Sequence, residues 1–419
     1  MTTPQGLVLR RVAALAAARM VDDPVLLLEG PRSVGKSTLL HALAQQAGGA
    51  VVDLDNPATR DAAIADPALF VSGSAPIFLD EYQKAPALLD AIKAELNRDS
   101  RPGRFVLTGS TRHDALPAAA QSLTGRLSRL TVYPLSQGEI AQHRETLVEL
   151  LFSHASATVA APATSTTREE YLLRMMAGGF PMALVRSSTT ARSRWFDDYL
   201  HLTLERDVPD LSHIRQPELL PIFLQRLAGQ TAQVLNVTRA AADAGLNPKA
   251  GENYAHLLEA VFLIHRLPAW GKTLSSRATK TPKVHLLDSG LAARLLRLTP
   301  EKLDRRDPTS LTELGHLLET FVVGELLKQA SWLESITAGH WRTSDGDEVD
   351  LVLERDDGAI VAFEVKASSR VTSKDFAGLR KLRAATGDAF LSGVALCTGE
   401  RSFTVEDRLS VMPIDRLWR

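Results

Sequence analysis

The chain has 419 residues, 45% hydrophobic and 23% charged, an ordinary balance for a globular protein and long enough for roughly two to four domains. Its formal net charge of −1 excludes a global electrostatic pull toward nucleic acid, so any DNA-binding surface has to be a local patch. The single cysteine, Cys397, excludes intramolecular disulfides and cysteine-based metal clusters, and no apolar run approaches the ~20 residues of a membrane-spanning helix.

Near the N-terminus, Arg10, Arg11 and Arg19 interrupt an apolar stretch, which therefore reads as an amphipathic helix rather than a signal peptide. With one thiol and no span, the expected location is the cytoplasm, with no membrane partner. Short β-like runs at 24–30, 50–56, 75–81, 104–110 and 129–135 then alternate with helical stretches such as 86–99. This alternation predicts an α/β unit over 1–150, a parallel sheet with helices on both faces.

The first of these runs leads into EGPRSVGKST at 29–38. Gly30, Pro31, Arg32, Ser33, Val34, Gly35, Lys36 and Ser37 match the phosphate-loop pattern G-x-x-x-x-G-K-[ST], with a strand before and a helix after. Glycines let backbone N–H groups converge on phosphate oxygens, and the helix adds its positive N-terminal end. The expected ligand is ATP, cradled from Gly30 to Thr38, with Lys36 on the β and γ phosphates and Ser37 on Mg²⁺. The run PIFLDEYQK places Asp80 and Glu81 at a strand end, where Asp80 can hold the magnesium shell and Glu81 can deprotonate the attacking water. After the next strand, Thr108 or Ser110 can sense the γ-phosphate, or can simply serve turn chemistry. Arg126, or Arg129, is a candidate arginine finger reaching a neighbouring subunit, so a homo-oligomer is expected.

The Ser/Thr/Ala-rich stretch 153–168 lacks an apolar period and reads as a linker or mobile loop. A helical region follows over 165–232, with Arg186, Arg192 and Arg194 close together as phosphate contacts or as a solvated helix face. Residues 233–280 read as helix, turn at Gly245, and second helix, with Leu235, Ala240 and Ala244 facing Tyr254, Leu257, Leu258 and Val261. This is the pattern of a helix-turn-helix with Lys249 and Asn253 outermost, or of a helical hairpin that binds nothing.

In the last unit, 281–419, PKVHLLDSG at 282–290 resumes β character, and the last hundred residues read as helix, three strands, helix, strand. Glu319 falls on the helix, Asp350 on the strand DEVDLVLE, and Glu364 and Lys366 two apart, on one face, in the strand IVAFEVK. A hairpin of these strands can bring Asp350, Glu364 and Lys366 together. The ordered set looks like a PD-(D/E)xK nuclease core. That resemblance implies Mg²⁺ on Glu319, Asp350 and Glu364, with Lys366 assisting water or the leaving oxygen. Lys374, Arg380, Lys381 and Arg383 follow on a helix, and the strand GVALCTG is expected to close the sheet.

The stretches LLLEGPRSVGKSTLL, FLDEYQKAPALLDAIK, FVLTGSTR and LTGRLSRLTVYPLS resemble the AAA-type (AAA+) ATPase domain of a prokaryotic family whose members carry a C-terminal domain long labelled as of unknown function. The resemblance extends through GGFPMALVR, WFDDYLHLTLERDV, KVHLLDSGLAAR and GHLLETFVVGELLK, nearly the whole chain, and implies a winged helix in the middle. The expectation is an ATPase that binds and processes or remodels DNA. The alternative is an ATP-regulated interaction or transcription-regulatory protein whose nuclease-like fold is inactive.

Overall fold

The computed structural model describes residues 8–112, 123–160, 162–212, 214–271, 273, 281–305 and 307–419. The chain opens with α1 (Val12–Asp22), β1 (Val25–Glu29), α2 (Lys36–Ala47), β2 (Ala50–Asp53), α3 (Pro57–Ala65) and α4 (Pro67–Val71). Then come β3 (Ile77–Asp80), α5 (Ala87–Arg98), β4 (Phe105–Gly109) and β5 (Leu127–Thr131). All five strands are parallel, in the order β2-β3-β4-β1-β5. Alternation along β1 explains why both faces are covered. Leu26 and Leu28 join Leu39, Leu40 and Leu43 of α2 in one core, while Val25 and Leu27 join Leu88, Leu89 and Ile92 of α5 in the other. The β1–α2 loop, Asp80 and the end of β4 therefore lie along the carboxyl edge of one sheet, where such folds bind ligands.

Helices continue as α6 (Gln137–Ala141), α7 (Leu147–Thr158), α8 (Arg168–Ala177), α9 (Pro181–Leu184), α10 (Thr189–Leu202), α11 (Val208–Leu211) and α12 (Leu220–Ala228), with a π-helical turn at Thr203–Asp207 between α10 and α11. The expected mobile linker is not one over most of its length. α7 runs to Thr158, and the segment after it is tied down by the Thr164 N–H donating to the Glu400 carbonyl at 2.8 Å. Thr164 and Thr166 both donate their hydroxyls to Asp415, a fully buried carboxylate. A Ser/Thr-rich stretch lacks apolar periodicity for two opposite reasons, solvation or polar docking, and composition does not separate them.

A small unit of β6 (Gln233–Val234), α13 (Val237–Asp243), α14 (Pro248–Ala260), β7 (Ile264–Leu267) and β8 (Lys283–Leu286) follows. Its strands form an antiparallel sheet in the order β6-β8-β7, so two helices are succeeded by a hairpin, as in a winged helix. Residues 274–280, between β7 and β8 in the chain, lie outside the described residues. Ala240, Ala244, Tyr254, Leu258 and Val261 pack together, while Lys249 and Asn253 are exposed, as the sequence predicts. Gly251 permits the close crossing, since a Cβ there would stand 2.5 Å from that of Ala241. β8, grouped by the sequence with the C-terminal unit, hydrogen-bonds instead to β6 and β7.

The last part holds α15 (Ser289–Leu295), α16 (Pro300–Asp304), α17 (Pro308–Ser331), β9 (Ile336–Arg342), β10 (Glu348–Arg355), β11 (Ile360–Lys366), α18 (Ala377–Thr386), β12 (Phe390–Cys397), β13 (Phe403–Glu406) and β14 (Leu409–Pro413). The sheet order is β13-β14-β12-β11-β10-β9. β12 therefore does not close the sheet. β14 adds parallel to it, and β13 folds back antiparallel. The short run LSVMP is too brief to stand out by periodicity, yet all five of its residues are buried.

Candidate functional sites

The phosphate loop is shaped by two glycines. Gly35 adopts φ 92°, which a side chain resists, and a Cβ on Gly30 would stand 2.3 Å from the Val132 carbonyl oxygen. Arg10 braces the loop from behind, donating to the Val34 and Tyr133 carbonyls at 2.7 Å each and pairing with Glu139 at 3.0 Å. Lys36 is buried and donates to the Gly30 and Pro31 carbonyls at 2.9 and 2.8 Å. Burial pulls its pKa down to about 8, partly opposed by the nearby carboxylate of Glu81. The residues present fit a nucleotide triphosphate with Mg²⁺. A pocket of about 360 Å³ is lined by Arg32, Lys36, Ser37 and Glu81, and by Pro181 and Met182 from α9.

Asp80 and Glu81 are both buried, at 7% and 8% exposure, and β4 holds them in place. The Thr108 hydroxyl donates to Asp80 and accepts from the Glu81 N–H at 3.0 Å. The Ser110 hydroxyl donates to Glu81 at 3.2 Å, and Gln83 donates its amide both to Glu81 and to Ser110. Thr108 and Ser110, expected to sense the γ-phosphate or to serve turn chemistry, both hydrogen-bond to the two acids. Glu81 has φ 56°, left-handed for a non-glycine residue, a strain that recurs at functional positions. Arg126 donates to Asn97 at 2.8 Å and does not line its own chain's loop pocket.

Sequence reasoning missed Arg10, Gln83, Pro181, Met182 and Asp207. Asp207, buried in the π-helical turn, pairs with Arg32 at 2.6 Å. Burial works against the Arg32 charge, but Asp207, with the charges of Glu81 and Asp55, holds the guanidinium above its ordinary pKa. The only sequence signal was the run LTLERDV, whose long-range partner no local pattern reveals.

In the C-terminal unit β10 and β11 pair antiparallel, Leu351 opposite Phe363, as expected. Asp350 accepts from the Val365 N–H at 2.8 Å, and Lys366 donates to Glu364 at 2.7 Å. The acids do not, however, converge on one point. Glu319, Glu348 and Asp350 surround Lys283, which reaches in from β8, while Glu364 pairs with Lys366. The register of β10 against β9 shifts between Val349 and Val352. Val349 packs with Val352 in the core that includes Leu379 and Leu382 of α18, whereas Leu351 and Leu353 pack in the core that includes α17. Among the described residues no three Asp, Glu, His or Cys side chains are placed to hold a metal ion together. The Mg²⁺ set expected of Glu319, Asp350 and Glu364 is therefore not assembled. Burial and the Asp350 charge raise Glu319 well above the usual carboxylate range, and the same two causes push Glu364 up to about 8.

The basic helix is also less available than its sequence suggests. Arg380 and Arg383 both pair with Glu406, and Lys381 with Asp347. No helix among the described residues is long and apolar enough to cross a membrane.

Residues 22–141 match the family described as AAA domain, and residues 168–302 and 314–417 match two families described as domains of unknown function, DUF8612 and DUF4143. The uncharacterized proteins Rv2008c of Mycobacterium tuberculosis and Mb2031c of Mycobacterium bovis are each 29% identical over 416 residues, 98% of this chain and 85% of theirs. Among solved structures, the Walker-type ATPase PABY2304 of Pyrococcus abyssi covers 68% of this chain and 94% of its own at 15% identity and a TM-score of 0.41. The RuvB Holliday junction branch migration motor of Thermotoga maritima covers 61% and 87% at 19% identity and a TM-score of 0.27. The N-terminal sheet and its phosphate loop have the fold of a P-loop ATPase, and the AAA-domain match supports nucleotide binding and ATPase activity in general.

Proposed function

We propose that this chain is a Mg²⁺-dependent, ATP-hydrolysing AAA+ protein that binds and remodels DNA through its winged and C-terminal units. The observation that carries the ATPase half is the network joining Glu81 to Ser110, Gln83 and Thr108 beside the loop of Lys36 and Ser37. When bound, Mg²⁺ would neutralise charge on the phosphates, and Ser37 and Asp80 are the residues that would hold it. Lys36 positions the β and γ phosphates, and Glu81 takes a proton from water.

Coupling to the rest of the molecule starts at the same strand. Past β4, Arg112 donates its N–H to the Ala260 carbonyl at 2.9 Å and its Nε to that of Glu259 at 3.1 Å. A shift at Ser110 is thereby passed to α14, which presents Lys249 and Asn253 to solvent. Arg126, away from its own pocket, suits a finger offered to a neighbour in a cytoplasmic homo-oligomer.

The test is the ATP turnover rate with and without DNA. Duplex or branched DNA is expected to raise it, the gain fading as salt rises, and Lys36→Ala is expected to abolish turnover. Turnover indifferent to every DNA form would remove the DNA half of the proposal. Normal turnover in Lys36→Ala would remove the ATPase half. The second reading, an ATP-regulated interaction protein with an inactive nuclease-like fold, is favoured by Lys283 among the acids and by the paired arginines of α18. Mn²⁺-dependent DNA cleavage lost in Asp350→Ala and Lys366→Ala would decide against it.

A further inference from the structure

The acidic cluster of the C-terminal sheet already contains a cation, and that cation comes from another unit. Lys283 belongs to β8, where backbone pairing sets it opposite Val234 of β6 and Leu267 of β7. Past β7 the chain is stitched to β9. The Trp270 N–H donates to the His340 carbonyl at 2.6 Å, and the His340 N–H donates to that of Pro268 at 2.9 Å. The backbone that carries the lysine is therefore fixed at both flanks.

Its ammonium lies 2.7 Å from Glu319 and 3.2 Å from Asp350 and also contacts Glu348, with the side chain only 2% exposed. Divalent ions draw carboxylate oxygens to about 2.0–2.6 Å. An ammonium hydrogen-bonded to the same oxygens fills the volume such an ion would need. A bare ammonium this deeply buried is strongly disfavoured, and here the surrounding carboxylates offset that cost. The carboxylates in turn depend on it. Without Lys283, Glu319, Glu348 and Asp350 would face one another with no positive charge among them. Glu364, within electrostatic reach of Asp350, already has one buried oxygen without a protein partner.

We infer that Lys283 is the resident cation of this site: its ammonium replaces a divalent metal and clamps the winged unit onto the nuclease-like sheet. As folded, the site takes up no Mg²⁺ or Mn²⁺ and has no metal with which to activate water. The acids are not placed to hold a metal as folded; removing the lysine leaves them free to close on a divalent cation. This inference rests on the assignment of the C-terminal acids and not on the phosphate loop, so ATP turnover of the same samples reports on the loop separately.

The experiment titrates the nucleotide-free full chain with MnCl₂, followed by calorimetry and by thermal melting. In the wild type no Asp350-dependent Mn²⁺ binding is expected, and no change in Tm. In Lys283→Ala a Mn²⁺ site is expected to appear together with a rise in Tm of several degrees, both lost on adding Glu319→Gln. Mn²⁺ binding by the wild type that disappears in Asp350→Asn overturns the inference. So does a folded Lys283→Ala protein that stays indifferent to Mn²⁺. If Lys283→Ala does not fold, the wild-type titration against Asp350→Asn decides alone, and Lys283→Met, which keeps the stem, shows whether the missing charge is the cause.

Discussion

Glu81, the proposed general base, shows how neighbours fix a single carboxylate. Its backbone is left-handed, its N–H is held by Thr108, and its carboxylate accepts from Gln83 and Ser110. Glu81→Gln keeps the size and loses the base, so ATP turnover should fall by about 10²–10⁴-fold while ATP binding persists. Gln83→Ala frees the carboxylate without removing it. The expected outcome is a changed kcat with an unchanged KM for ATP, read by steady-state kinetics. A raised KM with kcat unchanged would mean that Gln83 serves the nucleotide rather than Glu81. The phosphate-loop residues and the two acids were legible because their chemistry is local: a turn, a strand end and the residues adjoining them. Gln83 lies three residues from Asp80 but carries no pattern of its own. Asp207 was invisible, since its partner Arg32 is 175 residues away.

At the scale of the element, the β7–β8 hairpin contains an acid-sensitive pair. His265 and His285 stand opposite each other in register. His265 is half-buried, yet both of its ring nitrogens are shielded from solvent and lack a protein partner. Burial, with Arg112 nearby, lowers its pKa to about 4, and burial lowers His285 well below its ordinary value. The folded state therefore keeps both neutral, whereas the unfolded chain takes up protons near pH 6.5. Stability from this source is complete above pH 6.5 and is lost as pH falls from there toward 4, by up to about 3 kcal/mol for His265. His265→Gln should flatten that loss, as measured by urea unfolding at pH 7 and pH 5. An unchanged slope would show that the ring does not govern it. Strand existence was readable from apolar runs, but the pairing of β8 was not. A four-residue strand fits either neighbouring sheet, and only the backbone partners available in three dimensions choose between them.

Across the whole molecule, α17, an interlock of two glycine motifs and Asp415 add to the links between regions already described. α17, 24 residues and so roughly 36 Å long, carries Glu319 in its middle and Glu325 and Lys328 further along. Glu325 accepts from the Gln137 N–H at 2.7 Å, and Lys328 donates to the Leu135 carbonyl at 3.0 Å, beyond the end of β5. The motifs GGFP and LLDSG interlock, the Gly179 N–H donating to Asp288 at 2.7 Å where a Cβ on Gly178 would stand 2.2 Å from the same carboxylate. Asp415 closes the last link, accepting from Thr164 and Thr166 and pairing with Arg419 at 2.9 Å. Asp415→Ala strands those donors and should lower unfolding free energy by about 2–4 kcal/mol in denaturant titration. A loss below about 0.5 kcal/mol would mean that the segment after α7 is not held there.

The sequence by itself determined the phosphate loop, the acid pair, the parallel α/β order and the β10–β11 hairpin. Each follows from the chemistry or periodicity of residues close together in the chain. Only the tertiary structure decided what surrounds the C-terminal acids. The motif of Glu319, Asp350, Glu364 and Lys366 predicts a metal, and β8 brings Lys283 among them. Buried charges are set by every group that reaches them in space, whereas a motif counts only those it spans along the chain.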